Sequence, residues 1–413
     1  MNPSPALSTV HADVCVIGAG PHGLAITLEL AARAPFLDVV AVDPSGQWLT
    51  TWHDQMARAE IPTLRSPIVH SPSTDASALA DHCHRHGLPS SGLPYDIPTV
   101  EAFAHFCDSL TDPSRLDPPI AANVRRVARS ADLVAVETDN ERILANHLIV
   151  ASNPHRRNIP DWVLPLLGQQ PGCIEHAENV DLGSLAPQSL VDENVLIIGG
   201  GLSAGHLATG AITRGARVTM ITRRPLTTRS FDTDPGWLGP KFLDGFDAEP
   251  DPAVRLRAAL DARGGGTIPP WMGKHLTHLE SDEPLTIYEG VDVVAASFIP
   301  NAQCRLALSN GETVDADRLW LATGTTPDIA ALGYLDEIVA DTPVVDGYPV
   351  LNNDLQLDGH PIHMMGRLAT LTLGPACGNL WGAQRASERI VRAIAPTNYS
   401  SEIAEVISES ASS

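Results

Sequence analysis

Two short glycine motifs constrain this chain more than any other feature. Val14-Cys15-Val16-Ile17 runs into Gly18-x-Gly20-x-x-Gly23, and Val195-Leu196-Ile197-Ile198 runs into Gly199-x-Gly201-x-x-Ala204. An apolar strand that turns on glycine into a helix opens a nucleotide-binding βαβ unit. Gly18 permits the tight turn, Gly20 lets the backbone approach a pyrophosphate, and Gly23 lets helix and strand pack closely. Pro21 and His22 open the first helix, and Leu202, Ser203 and Ala204 open the second. Helix N-termini of this kind hold phosphate through their free N–H groups.

The next strand in each half carries the second signal. Val39-Val40-Ala41-Val42 ends at Asp43-Pro44, 20 residues beyond Gly23, where an acid accepts hydrogen bonds from a ribose diol. In the second half, Ala216 to Ile221 ends at Thr222, followed by Arg223 and Arg224. An acid there would repel a 2′-phosphate, whereas guanidinium can clamp it. The second nucleotide is therefore expected to be NADPH rather than NADH. Both halves then repeat a hairpin with a polar turn, Thr138-Asp139-Asn140 and Ser309-Asn310-Gly311. A short apolar strand follows, ending in a small-residue loop, Ala151-Ser152-Asn153 and Ala322-Thr323-Gly324. The expected fold class is α/β, with two Rossmann-like dinucleotide-binding domains, the second inserted into the first.

Composition narrows the partners. The chain has 413 residues, enough for two or three domains, and a formal charge of −22. That balance argues against a nucleic-acid or anionic-membrane partner, which needs clustered Lys and Arg. No apolar run reaches the length of a membrane span, and no secretory leader pattern opens the sequence. The six cysteines are scattered and none form C-x-x-C, so the expected compartment is a reducing cytoplasm. The tract His82-Cys83-His84-Arg85-His86 lacks the spacing of a metal site and is read as a partly exposed helix end; no metal is expected. Homo-oligomerisation stays open.

Several further segments together resemble the class B flavin monooxygenases, the group that includes the lysine/ornithine N-monooxygenases and the flavin-containing monooxygenases. Ser45-Gly46-Gln47-Trp48 resembles their GGxW segment, and Trp52-His53-Asp54-Gln55-Met56 their WHxGM segment, with Gln55 in place of glycine. Gly172-Cys173-Ile174-Glu175-His176 resembles the core of the FxGxxxHxxxY/F signature, with Gln170 and Val180 at its ends. Leu321-Ala322-Thr323-Gly324 matches the ATG segment that closes the NADPH domain. The resemblance spans roughly residues 12–395 and implies FAD in the first site.

It also implies domain limits: residues 1–160 and 329–395 for FAD, 161–328 for NADPH, and 396–413 as a frayed tail. Residues implied at the cofactors are those of the two fingerprints with Asp43, Pro44, Gln47, Trp48, Trp52, His53, Met56, Arg65, Val124, Arg223, Arg224, Thr323 and Gly324. Gly366, Gly374, Asn379 and Leu380 of the returning segment join them, with a helix N-terminus there aimed at the flavin. Arg65 and Ser66 are the candidates beside the reacting atoms, Arg65 as a nucleotide or oxyanion contact or as a structural ion pair. Asp232 or Asp234 of the following loop are candidates to hold a cationic amine. The implied activity is transfer of one oxygen atom from O₂, through a flavin C(4a)-peroxide, to nitrogen or sulfur of a small metabolite. An NADPH oxidase or dehydrogenase without oxygen insertion, or a non-catalytic nucleotide-binding protein, are the alternatives. The chain is read as lacking much of the extra length that the amino-acid N-hydroxylases place around their substrate.

Overall fold

The computed structural model describes residues 8–91, 95–130, 132–170, 172–282, 284–299 and 303–395. The tail expected to fray, 396–413, lies outside them.

The first fingerprint seeds a sheet whose parallel core runs, in spatial order, Ile120–Ala121, Val39–Asp43, Ser8–Ile17, Glu141–Val150 and Ile362–Met364. Glu141–Val150 is long enough to do two jobs. Residues 142–145 pair antiparallel with the hairpin strand Leu133–Thr138, and Leu148 to Val150 pair parallel with Ile362–Met364. The returning C-terminal chain therefore completes a sheet begun more than two hundred residues earlier. Val14, Cys15, Val16, Leu148, Ile149 and Val150 are all fully buried, as continuous apolar strands covered on both faces must be.

The second fingerprint seeds a separate sheet, fully parallel, ordered Leu285–Glu289, Arg217–Thr222, Asn194–Ile198, Arg318–Leu321 and Ile174–His176. A three-stranded antiparallel sheet, Val293–Phe298, Cys304–Leu308 and Thr313–Ala316, packs beside it. The mixed α/β architecture with two Rossmann-like sheets agrees with the expected fold class.

The chain crosses between the two sheets twice, and the crossings pair with each other. His155–Arg157 on the way out runs antiparallel to Thr325–Pro327 on the way back. Asn158 fastens this ribbon: its N–H donates to the Gly324 carbonyl at 3.0 Å, and its amide oxygen accepts from Thr326 Oγ1 at 2.8 Å. Glu178 braces it from the second sheet's side, accepting from His155 Nε2 at 2.8 Å and Arg157 Nε at 3.0 Å.

Candidate functional site

Both fingerprints use glycine for the same steric reasons. Gly18 has φ +104°, and a Cβ there would lie 3.1–3.2 Å from the Ala151 carbonyl and the following nitrogen. Gly199, with φ +138°, would meet the Ala322 carbonyl oxygen at 2.3 Å. The two small-residue loops read as counterparts therefore cover the first glycine of their own motif. Gly23 is a packing glycine: its Cβ would sit 1.9 Å from the Gly18 oxygen. Gly20 differs, since nothing lies within 4 Å of its missing Cβ. That open space beside the turn is what a ligand's close approach requires.

The helices that follow start bare. Gly20 caps Pro21–Arg33 and Gly201 caps Leu202–Thr213, and neither helix has a side-chain cap. Their first N–H groups are left for a ligand, and the helix dipole favours an anion there. Asp43 leans over the first turn. One carboxylate oxygen accepts from the Ala19 N–H at 3.0 Å, the other from Ser45 N at 2.9 Å and Ser45 Oγ at 2.6 Å. A carboxylate offers about four lone-pair sites, so one remains for a ribose hydroxyl.

The neighbouring aromatic segment is mostly scaffolding. Trp48 donates its indole N–H to the Asp117 carbonyl at 3.1 Å. Trp52 packs against His53 and Phe103, with ring centroids 5.0 and 5.1 Å away. Pro44 and Gln47 are exposed in the turn after Asp43, Met56 is half-buried, and Val124 begins the outer hairpin strand. His22 is the fingerprint residue that reaches furthest. Its Nε2 lies 3.1 Å from the Cys377 carbonyl, tying the first helix to the returning loop. Burial pushes its pKa down, so the ring is neutral and donates through Nε2.

In the returning segment, Gly366 has φ +66° and faces the His22 ring, and Leu380 joins the core beside Trp48 and Trp52. Asn379 caps its own helix, accepting from the Gly382 N–H at 3.0 Å, so that N-terminus is only partly free. Gly374 faces Leu243, Trp237 and Phe246, making it a packing contact with an aromatic cluster.

Arg65 reaches across to the loops that follow the second fingerprint, with its donors occupied by protein. Nη1 donates to the Thr267 carbonyl at 2.9 Å, and Nη2 to the Arg229 carbonyl at 2.9 Å and Thr267 Oγ1 at 2.6 Å. Nε donates to the Ser230 carbonyl at 3.4 Å, and Asp232 pairs at 3.5 Å. This geometry matches the structural alternative rather than a guanidinium held ready for a ligand. Asp232 also pairs with Arg263 at 3.1 Å, and Asp234 caps the turn beginning at Pro235, so both loop acids are engaged within the protein. Ser66 is half-buried, and its hydroxyl has no hydrogen bond among the described residues.

At the second turn, His176 of the GxxxH segment is buried and its Nε2 lies 3.2 Å from the Gly324 carbonyl, linking that segment to the ATG loop. Thr323 donates to the Asn158 carbonyl. Arg223 is largely exposed, 4.0 Å from Asp292. Arg224 turns back, donating through Nη2 to the Gly265 carbonyl at 3.0 Å.

The partner of Arg224 belongs to an element the motif reading missed. Gly264, Gly265 and Gly266 all have positive φ, at +64°, +71° and +104°. The Gly266 Cα lies 3.6 Å from where a Gly201 Cβ would be, so the loop meets the second fingerprint's turn backbone to backbone. The run of three glycines was visible in the sequence, but its destination was not. Arg263 and Arg367 were also missed. Arg263 donates to the Pro375 carbonyl at 3.0 Å, and Arg367 to Thr325 Oγ1 at 2.9 Å and its carbonyl at 2.8 Å. With the bidentate Arg214–Glu60 pair, at 2.7 and 3.2 Å, these arginines hold the two sheets' loops together.

The fold and these turns define a class, the two-dinucleotide oxidoreductases. Residues 15–251 match the family model for pyridine nucleotide-disulphide oxidoreductases, and the chain belongs to that family. No curated protein matches it by sequence. Among solved structures, it is similar to the FAD-bound cadaverine monooxygenase of Erwinia amylovora, with 16% identity, TM-score 0.74, and 94% of this chain and 95% of that one covered. It is likewise similar to the ornithine N-hydroxylase of Kutzneria sp. 744, solved with reduced FAD, NADP⁺ and L-ornithine, with 17% identity, TM-score 0.75, and coverage of 93% and 99%. The bacillithiol disulfide reductase of Bacillus cereus superposes with TM-score 0.60 at 16% identity, covering 94% and 100%. Coverage of 95% and 99% of the two monooxygenases overturns the expected shortfall in length.

Proposed function

We propose that this protein is an FAD- and NADPH-dependent monooxygenase that hydroxylates the nitrogen of a small primary amine. The observation that carries the reading is the pair of glycine-capped helix N-termini after parallel strands of two sheets, with opposite charge at the next strand's end. Asp43 marks one and Arg223-Arg224 the other. The proposed domain division is 1–160 with 329–395 for FAD, and 161–328 for NADPH. The solved cadaverine monooxygenase and ornithine N-hydroxylase named above support the choice of reaction, since cadaverine and ornithine are both primary amines.

The residues present fit both cofactors. Gly18, Gly20 and the N–H groups of helix Pro21–Arg33 would hold the FAD pyrophosphate, and the spare Asp43 lone pair a ribose hydroxyl. Gly199, Gly201, Leu202, Ser203 and Ala204 would hold the NADPH pyrophosphate, and Arg223 with Arg224 its 2′-phosphate. When bound, FAD would supply the redox chemistry, hydride acceptance and O₂ activation, at the site these residues form. The chain's own contribution is position. Arg65, Arg263 and Arg367 fix the loops of one sheet against those of the other, and His22 fixes the returning loop against the first helix. Ser66, whose hydroxyl has no hydrogen bond among the described residues, is our candidate for a polar contact to substrate or cofactor.

Cysteine chemistry does not compete. Disulfide reduction needs an accessible thiolate, and all six cysteines are buried. Burial pushes the Cys15 thiol up to about 12. Cys173 and Cys304 are close enough to affect each other, but both lie in the core beside the antiparallel sheet.

The test is NADPH oxidation by FAD-loaded protein against ornithine, lysine and cadaverine, scoring hydroxylamine and hydrogen peroxide. Amine-dependent hydroxylamine supports the reading. An amine-independent rate with all electrons recovered as peroxide would replace it with an oxidase.

A further inference from the structure

In a cavity of about 400 Å³, none of the lining residues belongs to a fingerprint or to the Gly374–Leu380 loop. Its walls come from Asp247, Asn353, Asp354, Thr372 and Arg389, together with Arg255 and Arg392. Thr372 lies in the short helix that enters the returning loop, and Arg389 on the helix that leaves it.

Arg392 is engaged elsewhere, whereas Arg389, Asp247 and Asp354 are not paired with one another. Arg255 is committed to backbone, donating to the carbonyls of Glu249 at 2.5 Å, Asp247 at 3.0 Å and Leu371 at 3.2 Å. Arg389 is half-buried, yet its guanidinium has no hydrogen bond or ion pair among the described residues. Burial lowers its pKa, and Asp247 and Asp354 oppose that shift from a distance. Both acids are exposed on the rim, and neither carboxylate comes within ion-pair range of a cation among the described residues. A partly desolvated guanidinium without a partner is costly, and an anion that completes it recovers that cost.

The geometry points to a binding site for a small amino-acid zwitterion, its carboxylate on Arg389 and its ammonium between Asp247 and Asp354. Charge selects this ligand class. A phosphate or other polyanion would be repelled by the two rim carboxylates, and a simple carboxylate would leave both acids unmatched. A free amine would leave the guanidinium unmatched. Only a ligand with both charges answers Arg389 and the two acids together. The Asn353 amide and the Thr372 oxygen are the uncharged polar groups available beside them.

The experiment uses FAD-loaded full-length protein and a matched set of probes, read by calorimetry. L-Valine carries both charges and no side-chain amine that the proposed reaction would use. Isovalerate is the same skeleton without the ammonium, and isobutylamine the same skeleton without the carboxylate. We expect valine to bind saturably at one site, at least tenfold tighter than either single-charge probe. Arg389→Gln and Asp354→Asn should each weaken valine at least tenfold, with NADPH oxidation unchanged. Asp354 is exposed, so its variant tests the site without threatening the fold. Equal binding of valine and isovalerate, no binding of valine, or unchanged affinity in both variants would each overturn the assignment.

Discussion

Gly20 and Gly23 stand three residues apart, yet the structure predicts opposite outcomes for the same alanine substitution. At Gly23, a Cβ would lie 1.9 Å from the Gly18 carbonyl oxygen. Both atoms belong to backbone, so relief requires the helix to move off its strand. Overpacking of this kind costs about 1–3 kcal/mol or more, while alanine's better helix propensity returns about 1 kcal/mol at most. Gly23→Ala should therefore lower stability by about 2 kcal/mol with or without flavin. At Gly20, the Cβ meets nothing and φ is −75°, which any residue adopts. The apoprotein should lose no more than about 1 kcal/mol, the difference between glycine and alanine at an N-cap. The ligand alone should notice. Losing one charge-assisted N–H contact to the pyrophosphate, about 1.5–3 kcal/mol, is about tenfold to a hundredfold in affinity. Thermal melts of apoprotein and FAD titrations by flavin fluorescence separate the two. If Gly20→Ala binds FAD as tightly as the parent, or melts as low as Gly23→Ala, the assignment of the open space to the pyrophosphate is refuted.

Other expectations follow the same geometry. Replacing Arg223 and Arg224 together with alanine should cut the NADPH-over-NADH preference about tenfold to a hundredfold. Gly265→Ala should reproduce part of that loss, because its Cβ would fall 1.9 Å from the Arg224 guanidinium; NADP⁺ titration of both variants checks this. Arg65→Ala should raise KM for NADPH while FAD stays bound, since its contacts are to residues 229, 230, 232 and 267, which follow the second fingerprint; unchanged KM would make it dispensable. Acid should destabilise the protein through His206 and His363, both buried and both pushed down to about 4. With the folded pKa below the unfolded one near 6.5, stability is complete above pH 6.5 and declines towards pH 4. The loss is on the order of 3 kcal/mol per histidine. Urea titrations of parent and His363→Asn should show a shallower decline in the variant.

What the sequence made legible was local and steric. Strand, turn and helix stand where Gly18 and Gly199 are forced into positive φ, and the hairpins close at Thr138-Asp139-Asn140 and Ser309-Asn310-Gly311. The parallel sheets follow from those units, because a βαβ connection has few ways to pack. What stayed hidden involves partners far apart in the chain. Nothing periodic announces that Gly266 meets Gly201, that Arg65 ends on Thr267, or that Asn158 knots the two crossovers. Arg65 was legible as a charged residue in the right neighbourhood, but its hydrogen-bond partners decide between a ligand contact and a strut. Asn379 likewise sits beside the expected flavin-facing helix, and only the structure shows its side chain spent on the Gly382 N–H.

The central claim is that oxygen from O₂ reaches an amine nitrogen on this protein. The most direct measurement is turnover under ¹⁸O₂ with NADPH, FAD-loaded protein and an amine of the ornithine, lysine or cadaverine type, followed by mass spectrometry of the product. The account predicts a hydroxylamine carrying one ¹⁸O atom, formed with NADPH consumption and lost when NADPH is withheld. Unmodified amine throughout the series, with the electrons of NADPH recovered quantitatively as labelled hydrogen peroxide, would contradict it.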